Sequence, residues 1–275
     1  MKKLDGAVAV VTGATRGAGR GIARALGGAG ATVIVTGRST REAGATEGLP
    51  GTVEEAAEDV TSRGGRGVGV RCDHTDDAEV TALFERVRRD HGRLDLLVNN
   101  AWGGYEQYDP AEFKLPFWEQ PTAKRWQGMF VAGVRAQLLA SQRAAPILIA
   151  QRRGLIVSTI FWDEGKYLGN LFYDVAKAAI ARMVSGMARE LRPHGVAAVA
   201  LSCGFMRTER VLAANLPDYS GTESPEYDGR AVAALAAEPR ILERTGEVLY
   251  TGQLARDYGF VDVDGSQPPV FRLPD

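Results

Sequence analysis

Short apolar runs rich in valine and isoleucine alternate along the chain with longer stretches in which apolar residues recur at helical spacing. The predicted strands are residues 7–11, 32–36, 67–72, 94–99, 155–158 and 196–202. The predicted helices are residues 20–28, 53–63, 76–90, 124–149 and 173–191. Because the strands lack an alternating polar face, helices must cover both sides of their sheet. The pattern predicts an α/β fold with a doubly wound parallel sheet.

The length and continuity of the chain indicate one domain. No linker or repeat interrupts the 275 residues, so residues 1–275 are expected to form a single unit. Residues 39–52 and 102–121 fit the alternation poorly and follow predicted strand ends, where open α/β sheets bind ligands. We expect these extended loops either to contact a substrate or to lie on the surface or against a second subunit.

Composition narrows the classes of function. Lysine and arginine total 33 against 34 acidic residues, a net charge of −1 that provides no field for binding nucleic acid or an anionic membrane. Cys72 and Cys203 lie far apart without metal-ligand spacing, so we expect no metal site and no disulfide. The first apolar run, about six residues, is too short for a signal peptide or a membrane span. These features predict a cytoplasmic protein.

A glycine-rich turn follows the first predicted strand and leads directly into a helix. Gly13, Gly17 and Gly19 punctuate it, and Thr15 and Arg16 lie between them. Glycines at such positions let the backbone bend sharply and approach a pyrophosphate, whose charge meets the amino end of the helix. The strand-turn-helix setting favours dinucleotide binding over a purely structural turn.

The second predicted strand ends at Arg38, where folds of this kind select their cofactor. An acidic residue at this point binds the ribose hydroxyl of NAD, whereas an arginine accommodates the 2′-phosphate of NADP. Arg16 could reach the same phosphate from the glycine turn. We predict NADP(H) as the cofactor; the alternative is that both arginines are merely solvated surface residues.

Tyr173 and Lys177 stand four residues apart, on one side of a predicted helix. An ammonium about 4 Å from a phenol, at an effective dielectric constant of about 20, would lower the phenol pKa by about three units. The pair could therefore act in proton transfer. The alternative is an ordinary pair on the helix surface.

The glycine turn, Asn99-Asn100-Ala101 after a predicted strand, and the Tyr173/Lys177 pair together resemble the short-chain dehydrogenase/reductase family. The resemblance spans nearly the whole chain, and the segments 254–259 and 262–265 resemble one branch of that family. It implies a Rossmann fold in which Tyr173 exchanges a proton with the substrate oxygen and Lys177 holds the nicotinamide ribose.

The same resemblance implies further contacts with the cofactor and an assembled protein. Asp73 would contact the adenine, Asn100 and Ala101 would line the adenosine, and Thr208 would reach the nicotinamide carboxamide. For Asp73, a simple turn or helix-capping role is the alternative. The family forms dimers or tetramers, so we expect a homodimer or homotetramer built through the helices at 124–149 and 173–191.

Two residues of the family pattern are missing. The usual serine about 13 residues before the tyrosine is replaced by Ile160, with Phe161 beside it, and residues 126–142 contain no asparagine for a proton-relay water. Ser158 or Thr159 could substitute, although a one-residue shift in a strand reverses the face of a side chain. Asp163, Glu164 or Asp174 could instead supply the acid-base chemistry.

The leading expectation is an NADP(H)-dependent oxidoreductase that transfers hydride to or from a carbonyl, alcohol or imine of a hydrophobic small molecule. Because losing a preorganised hydrogen-bond donor costs about 100- to 1,000-fold in rate, two further functions stay open. The fold could support a non-redox elimination, cyclisation or isomerisation, or it could serve as a non-catalytic nucleotide-binding protein.

Overall fold

A computed structural model describes residues 3–273 and contains one parallel sheet in this range. The strand order is β3-β2-β1-β4-β5-β6-β7. The strands are β1 (Val8–Val11), β2 (Thr32–Gly37), β3 (Arg66–Arg71), β4 (Leu96–Asn99), β5 (Gly154–Ile160), β6 (Val196–Ser202) and β7 (Val248–Tyr250). This order reverses direction between β1 and β4, which confirms the predicted doubly wound α/β fold.

Helices cover both faces of the sheet. The longer ones are α1 (Gly17–Gly28), α2 (Val53–Ser62), α3 (Asp77–His91), α6 (Ala136–Gln151), α7 (Leu171–Leu191), α9 (Pro225–Ala236) and α10 (Thr251–Tyr258). Short ones are α4 (Pro110–Phe113), α5 (Thr122–Arg125) and α8 (Glu209–Ala213), with 3₁₀ turns at Thr46–Gly48, Arg192–His194 and Ile241–Arg244.

Strand residues alternate between two apolar cores because successive side chains point to opposite faces. Val11 and Val157 pack with α1, α2, α9 and α10, whereas Val10, Ile156 and Ile160 pack with α3, α6 and α7. All five side chains are almost completely buried. The sheet is thus fixed in register from both sides, and its carboxyl edge can hold loops in defined positions.

The helix predicted at 124–149 is interrupted in the structure. A π-helix, Trp126–Arg135, separates α5 from α6. The Gly103 amide N–H from the loop after β4 donates to the Ala132 carbonyl oxygen at 3.2 Å. An outside donor that takes a helical carbonyl can locally convert an α-helix to a π-helix. The same hydrogen bond fixes the start of the loop that follows β4.

The C-terminal part of the chain contains elements that the periodicity did not predict. Strand β7 has three residues and pairs with β6 through Leu201 and Leu249. The segment beyond α10 returns to the sheet edge, where the Asp163 carboxylate accepts hydrogen bonds from Arg272 Nη1 and the Leu273 amide, each at 2.8 Å. Asp163 therefore anchors this segment.

The two predicted extended loops meet at the carboxyl edge of the sheet. The Gln107 amide donates to Glu47 Oε1 at 2.7 Å, and Arg38 forms an ion pair with Glu106. The glycine turn and the start of α7 open onto the same edge. Among residues 3–273, no helix is long and apolar enough to cross a membrane, and no cluster of three His, Cys, Asp or Glu could hold a metal ion.

Candidate active site

The glycine turn packs so closely against the end of β4 that side chains are excluded. A methyl group on Gly13 would lie 2.8 Å from Ala101 Cα, and one on Gly19 would lie 2.4 Å from Asn100 Nδ2. Thr12 Oγ1 accepts hydrogen bonds from the amides of Asn100 at 2.9 Å and Ala101 at 3.0 Å. The sequence thus brings the predicted glycines and the Asn100-Ala101 pair into one rigid turn.

The turn already binds an anion from within the chain. The Gly17 amide N–H, at the first residue of α1, donates to Glu209 Oε2 at 2.8 Å. The amino end of a helix carries partial positive charge and free N–H groups, so a carboxylate is stabilised there. Thr208 caps α8 beside it, accepting from the Val211 amide at 3.3 Å. The same Gly17 N–H is of the kind that binds a phosphate at a helix amino end.

Arg16 and Arg38 lie near each other, beside the loop at 39–52. Arg16 Nη2 donates to Ser39 Oγ at 2.8 Å and Nη1 to the Thr46 carbonyl oxygen at 2.9 Å, which fastens the loop at 39–52. Burial lowers the pKa of Arg16. Arg38 pairs with Glu106, an acidic partner that the sequence did not reveal because it lies 68 residues away. Both guanidinium groups are thus held in place by the chain itself.

Asp73 forms a tight turn after β3. Its Oδ1 accepts hydrogen bonds from the Thr75 amide at 2.9 Å and hydroxyl at 2.7 Å. Partial burial opposes ionisation, but these bonds and the charge of Arg38 hold the pKa of Asp73 below its ordinary value. Asp73 thus has the structural turn role that we considered as the alternative to cofactor binding. Its contact with the adenine stays a prediction.

Tyr173 and Lys177 are buried together at the start of α7. Asn170 caps the helix by accepting from the Tyr173 amide at 3.1 Å, and the two side chains are 8% and 7% exposed. Lys177 Nζ lies 3.6 Å from the centre of the Trp102 ring and 5.3 Å from the centre of the Tyr173 ring. The pair therefore faces the site and is not a surface pair.

The expected lowering of the Tyr173 pKa by Lys177 is not found. Burial, reinforced by Tyr105, raises the pKa of Tyr173 well above its ordinary value, and burial lowers the pKa of Lys177 to about 7. The ammonium rests against the Trp102 ring, and desolvation penalises the charged form of each group. Tyr173 is accordingly a protonated phenol at neutral pH, the state of a proton donor.

The two hydroxyls on β5 that could replace the missing serine form hydrogen bonds with Asn99. Ile160 is buried on the face that packs against α7. The Thr159 hydroxyl donates to the Asn99 carbonyl oxygen at 3.4 Å, and Ser158 Oγ accepts from Asn99 Nδ2 at 3.4 Å. Both hydroxyls therefore have a partner at the end of β4, and the substitution of either one for the serine stays a prediction.

The three acidic residues considered for acid-base chemistry have different roles or positions. Asp163 anchors the C-terminal segment, and Asp174 Oδ1 accepts from the Leu168 amide at 3.1 Å. Glu164 is exposed. Within residues 3–273, none of these carboxylates forms a hydrogen bond with the Tyr173 phenol.

Aromatic rings surround Tyr173. Trp102, Tyr105 and Phe113 from the loop after β4 lie with ring centres 5.8, 6.0 and 6.1 Å from that of Tyr173. Trp102 fits because Gly133 of the π-helix has no side chain, since a methyl group there would lie 2.6 Å from the indole ring. The helix that lacks the expected asparagine thus accommodates an indole in contact with Lys177.

A buried pair of carboxyl groups lies behind the turn that follows β6. The Gly204 amide donates to Glu223 Oε1 at 2.6 Å, and Asp228 accepts from the Thr251 hydroxyl. Burial, together with the neighbouring Asp228, raises the pKa of Glu223 to about 9, and burial also raises that of Asp228. Sequence reasoning missed this pair because nothing in its spacing distinguishes it from surface acids.

The comparison with protein families agrees with this geometry. Residues 7–217 match the family described as short chain dehydrogenase. The chain belongs to this family of oxidoreductases, whose fold binds nicotinamide cofactors.

Individual relatives fall in the branch that the C-terminal segments indicated. The chain is 40% identical over 277 aligned residues to dehydrogenase/reductase SDR family member 1 of Mus musculus, covering 95% of this chain and 85% of the relative. The Homo sapiens protein of the same name is 39% identical with the same coverage. Among solved structures, a metagenomic short-chain oxidoreductase in complex with NADP is 27% identical, with a TM-score of 0.66 over 90% of this chain and 97% of that one.

Proposed function

We propose that this protein is an NADP(H)-dependent oxidoreductase that transfers hydride to or from a carbonyl, alcohol or imine of a hydrophobic small molecule. The observation that supports the proposal is the buried Tyr173 phenol, with Lys177 beside it, on the same sheet edge as the anion-binding end of α1. Tyr173 gives its proton to the substrate oxygen or nitrogen during reduction and takes one during oxidation.

The cofactor site follows the length of the carboxyl edge. The residues assigned to it are Gly13, Thr15, Arg16, Gly17, Gly19, Arg38, Asp73, Asn100, Ala101, Tyr173, Lys177 and Thr208. Arg16 and Arg38 would hold the 2′-phosphate, for which Arg38 must exchange its Glu106 partner. The NADP bound by the metagenomic oxidoreductase supports this preference. When bound, the cofactor supplies or accepts the hydride.

Lys177 has two tasks in this proposal. Its ammonium form binds the cofactor ribose and stabilises the phenolate that Tyr173 becomes after donating its proton. Because its pKa is lowered to about 7 by burial, the charged and neutral forms are both accessible near neutral pH. Trp102, in contact with the amine, keeps water away from this pair.

The substrate is proposed to be hydrophobic because aromatic rings lie around Tyr173. Trp102 and Phe113 pack against Tyr173, and Phe161, whose ring centre lies 5.7 Å from that of Phe271, belongs to the same apolar cluster. Aromatic walls favour large apolar or conjugated molecules.

The whole chain is proposed to act as one catalytic unit that assembles as a homodimer or homotetramer in the cytoplasm. Large apolar side chains on the expected helices are exposed, among them Trp126 at 55%, Leu138 at 40% and Val175 at 45%. A second copy of the chain would cover them. Light scattering during size exclusion gives the assembled mass directly, and a monomer would contradict this part of the proposal.

The activity is tested by following NADPH absorbance with a panel of quinones, diketones and imines. We expect at least one compound to be reduced, and Tyr173→Phe to abolish turnover while binding NADPH. If product forms without nicotinamide turnover, the chemistry is non-redox. If NADPH binds and no compound reacts, the protein is a nucleotide-binding protein without this activity.

A further inference from the structure

Tyr105 lies directly against Tyr173 in the site that lacks the serine. The two ring centres are 6.0 Å apart, with an interplanar angle of 32°. The two phenols interact electrostatically, and Tyr105 contributes to raising the pKa of Tyr173. Tyr105 is partly buried, in the apolar cluster that contains Tyr173, Met129 and Ala176. A second phenol thus packs beside the first.

The hydroxyl groups near the end of β5 are engaged elsewhere. Ser158 and Thr159 bond to Asn99, as described above. Ser202 accepts from the Trp162 amide at 2.9 Å and donates to the Trp162 carbonyl oxygen at 3.1 Å. Tyr105, by contrast, packs its phenol ring against that of Tyr173.

The position of Tyr105 is fixed by its own loop. The Glu106 amide donates to the Gly103 carbonyl oxygen at 3.0 Å, which closes a turn around Tyr105, and Gly103 is bonded to the π-helix. Trp102 contacts the Tyr105 ring edge-on at 6.3 Å between centres. Such packing preorganises the phenol before a substrate arrives.

We propose that Tyr105 donates a hydrogen bond to the substrate oxygen that Tyr173 protonates, and so takes the place of the missing serine. The inference rests on the proposed function. In reduction, the hydride and its electron pair pass from NADPH to the substrate carbon, the carbon–oxygen π bond breaks, and the Tyr173 proton passes to oxygen. Tyr105 keeps its proton, and the Tyr173 phenolate is reprotonated from solvent.

The chain offers a matched control in Tyr108. Its ring packs edge-on against Tyr105 at 5.8 Å between centres, and it is 37% exposed. Tyr105→Phe and Tyr108→Phe each remove one hydroxyl and keep the ring. We expect Tyr105→Phe to lower kcat by about 100- to 1,000-fold, the usual cost of one donor to a reacting oxygen, with an unchanged NADPH dissociation constant. Tyr108→Phe should leave kcat and the melting temperature unchanged.

A titration independent of turnover tests the contact itself. NMR of isotope-labelled tyrosine should show Tyr173 ionising at lower pH in Tyr105→Phe than in wild type, because Tyr105 raises the pKa of Tyr173. In Tyr108→Phe, Tyr173 should ionise at the same pH as in wild type. Identical Tyr173 titrations in wild type and Tyr105→Phe would overturn the inference.

The kinetic outcomes separate this inference from the proposed function. If wild type reduces a substrate and Tyr105→Phe retains the same kcat, the inference is wrong and the proposed function stands. If wild type reduces no carbonyl, the proposed function and the catalytic role of Tyr105 both fail, whereas the NMR result still decides whether the phenols interact.

Discussion

Replacing Gly19 with alanine should both destabilise the fold and weaken NADPH binding. The added methyl group would lie 2.4 Å from Asn100 Nδ2 and 2.5 Å from the Gly13 carbonyl oxygen, and ordinary contact begins at 3.4 Å. Either the turn or the end of β4 must move. Overpacking of this kind costs about 1–3 kcal/mol of folding stability. Two hydrogen bonds from Asn100 Nδ2, at 3.0 and 2.9 Å, are strained by the same shift.

The shift also displaces the N–H groups that would hold the cofactor. Losing one hydrogen bond to a charged group costs about 1.5–3 kcal/mol, or about 10- to 100-fold in Kd. Gly28→Ala is the matched control, because a methyl group on Gly28, in the last turn of α1, meets nothing within 4 Å.

Calorimetric titration with NADPH and thermal melting measure both effects. Gly19→Ala should melt lower than wild type and bind NADPH about 10- to 100-fold more weakly. Gly28→Ala should bind normally and be unchanged or slightly more stable. Equal Kd values and melting temperatures for the two variants would refute the assignment of this turn to the cofactor.

Three further changes have defined outcomes. Glu209→Gln removes the carboxylate at the Gly17 amide, a contact of about 0.3–1 kcal/mol, so NADPH should bind about two- to fivefold more tightly by fluorescence titration; weaker binding would contradict this. Glu223 has a folded-state pKa raised from 4.5 to about 9, so its proton is held in the folded protein and lost on unfolding. The free energy of unfolding should therefore fall as pH rises from about 4.5 to about 9, and it should fall less in Glu223→Gln. If the melting temperatures of wild type and Glu223→Gln change with pH by the same amount, Glu223 does not hold the buried proton. Arg38→Asp should move cofactor preference from NADPH towards NADH by about 10- to 100-fold in relative Kd, and an unchanged ratio would remove the basis for NADP(H).

The sheet and the proximity of Tyr173 and Lys177 could be predicted because their signals are local. Apolar runs define β1 to β6, and the spacing of Tyr173 and Lys177 holds in α7. Strand β7 was missed because three residues carry no measurable periodicity. The π-helix was missed because its cause, the Gly103 amide, comes from another segment.

The electrostatics of the site could not be read from spacing alone. The pair spacing predicted a lowered Tyr173 pKa, but burial and Tyr105 act in the opposite direction. Glu209 reaches Gly17 across 192 residues, and Glu106 reaches Arg38 across 68. Such contacts depend on which loops pack together at the sheet edge, and this packing cannot be predicted from composition or periodicity.

The central claim is that a nicotinamide dinucleotide binds across the carboxyl edge of the sheet, beside Tyr173. Isothermal titration of NADPH into the folded, wild-type protein tests it most directly. We expect saturable heat with one site per chain and weaker binding of NADH. The absence of binding heat for both NADPH and NADH, in protein that melts cooperatively, would contradict it.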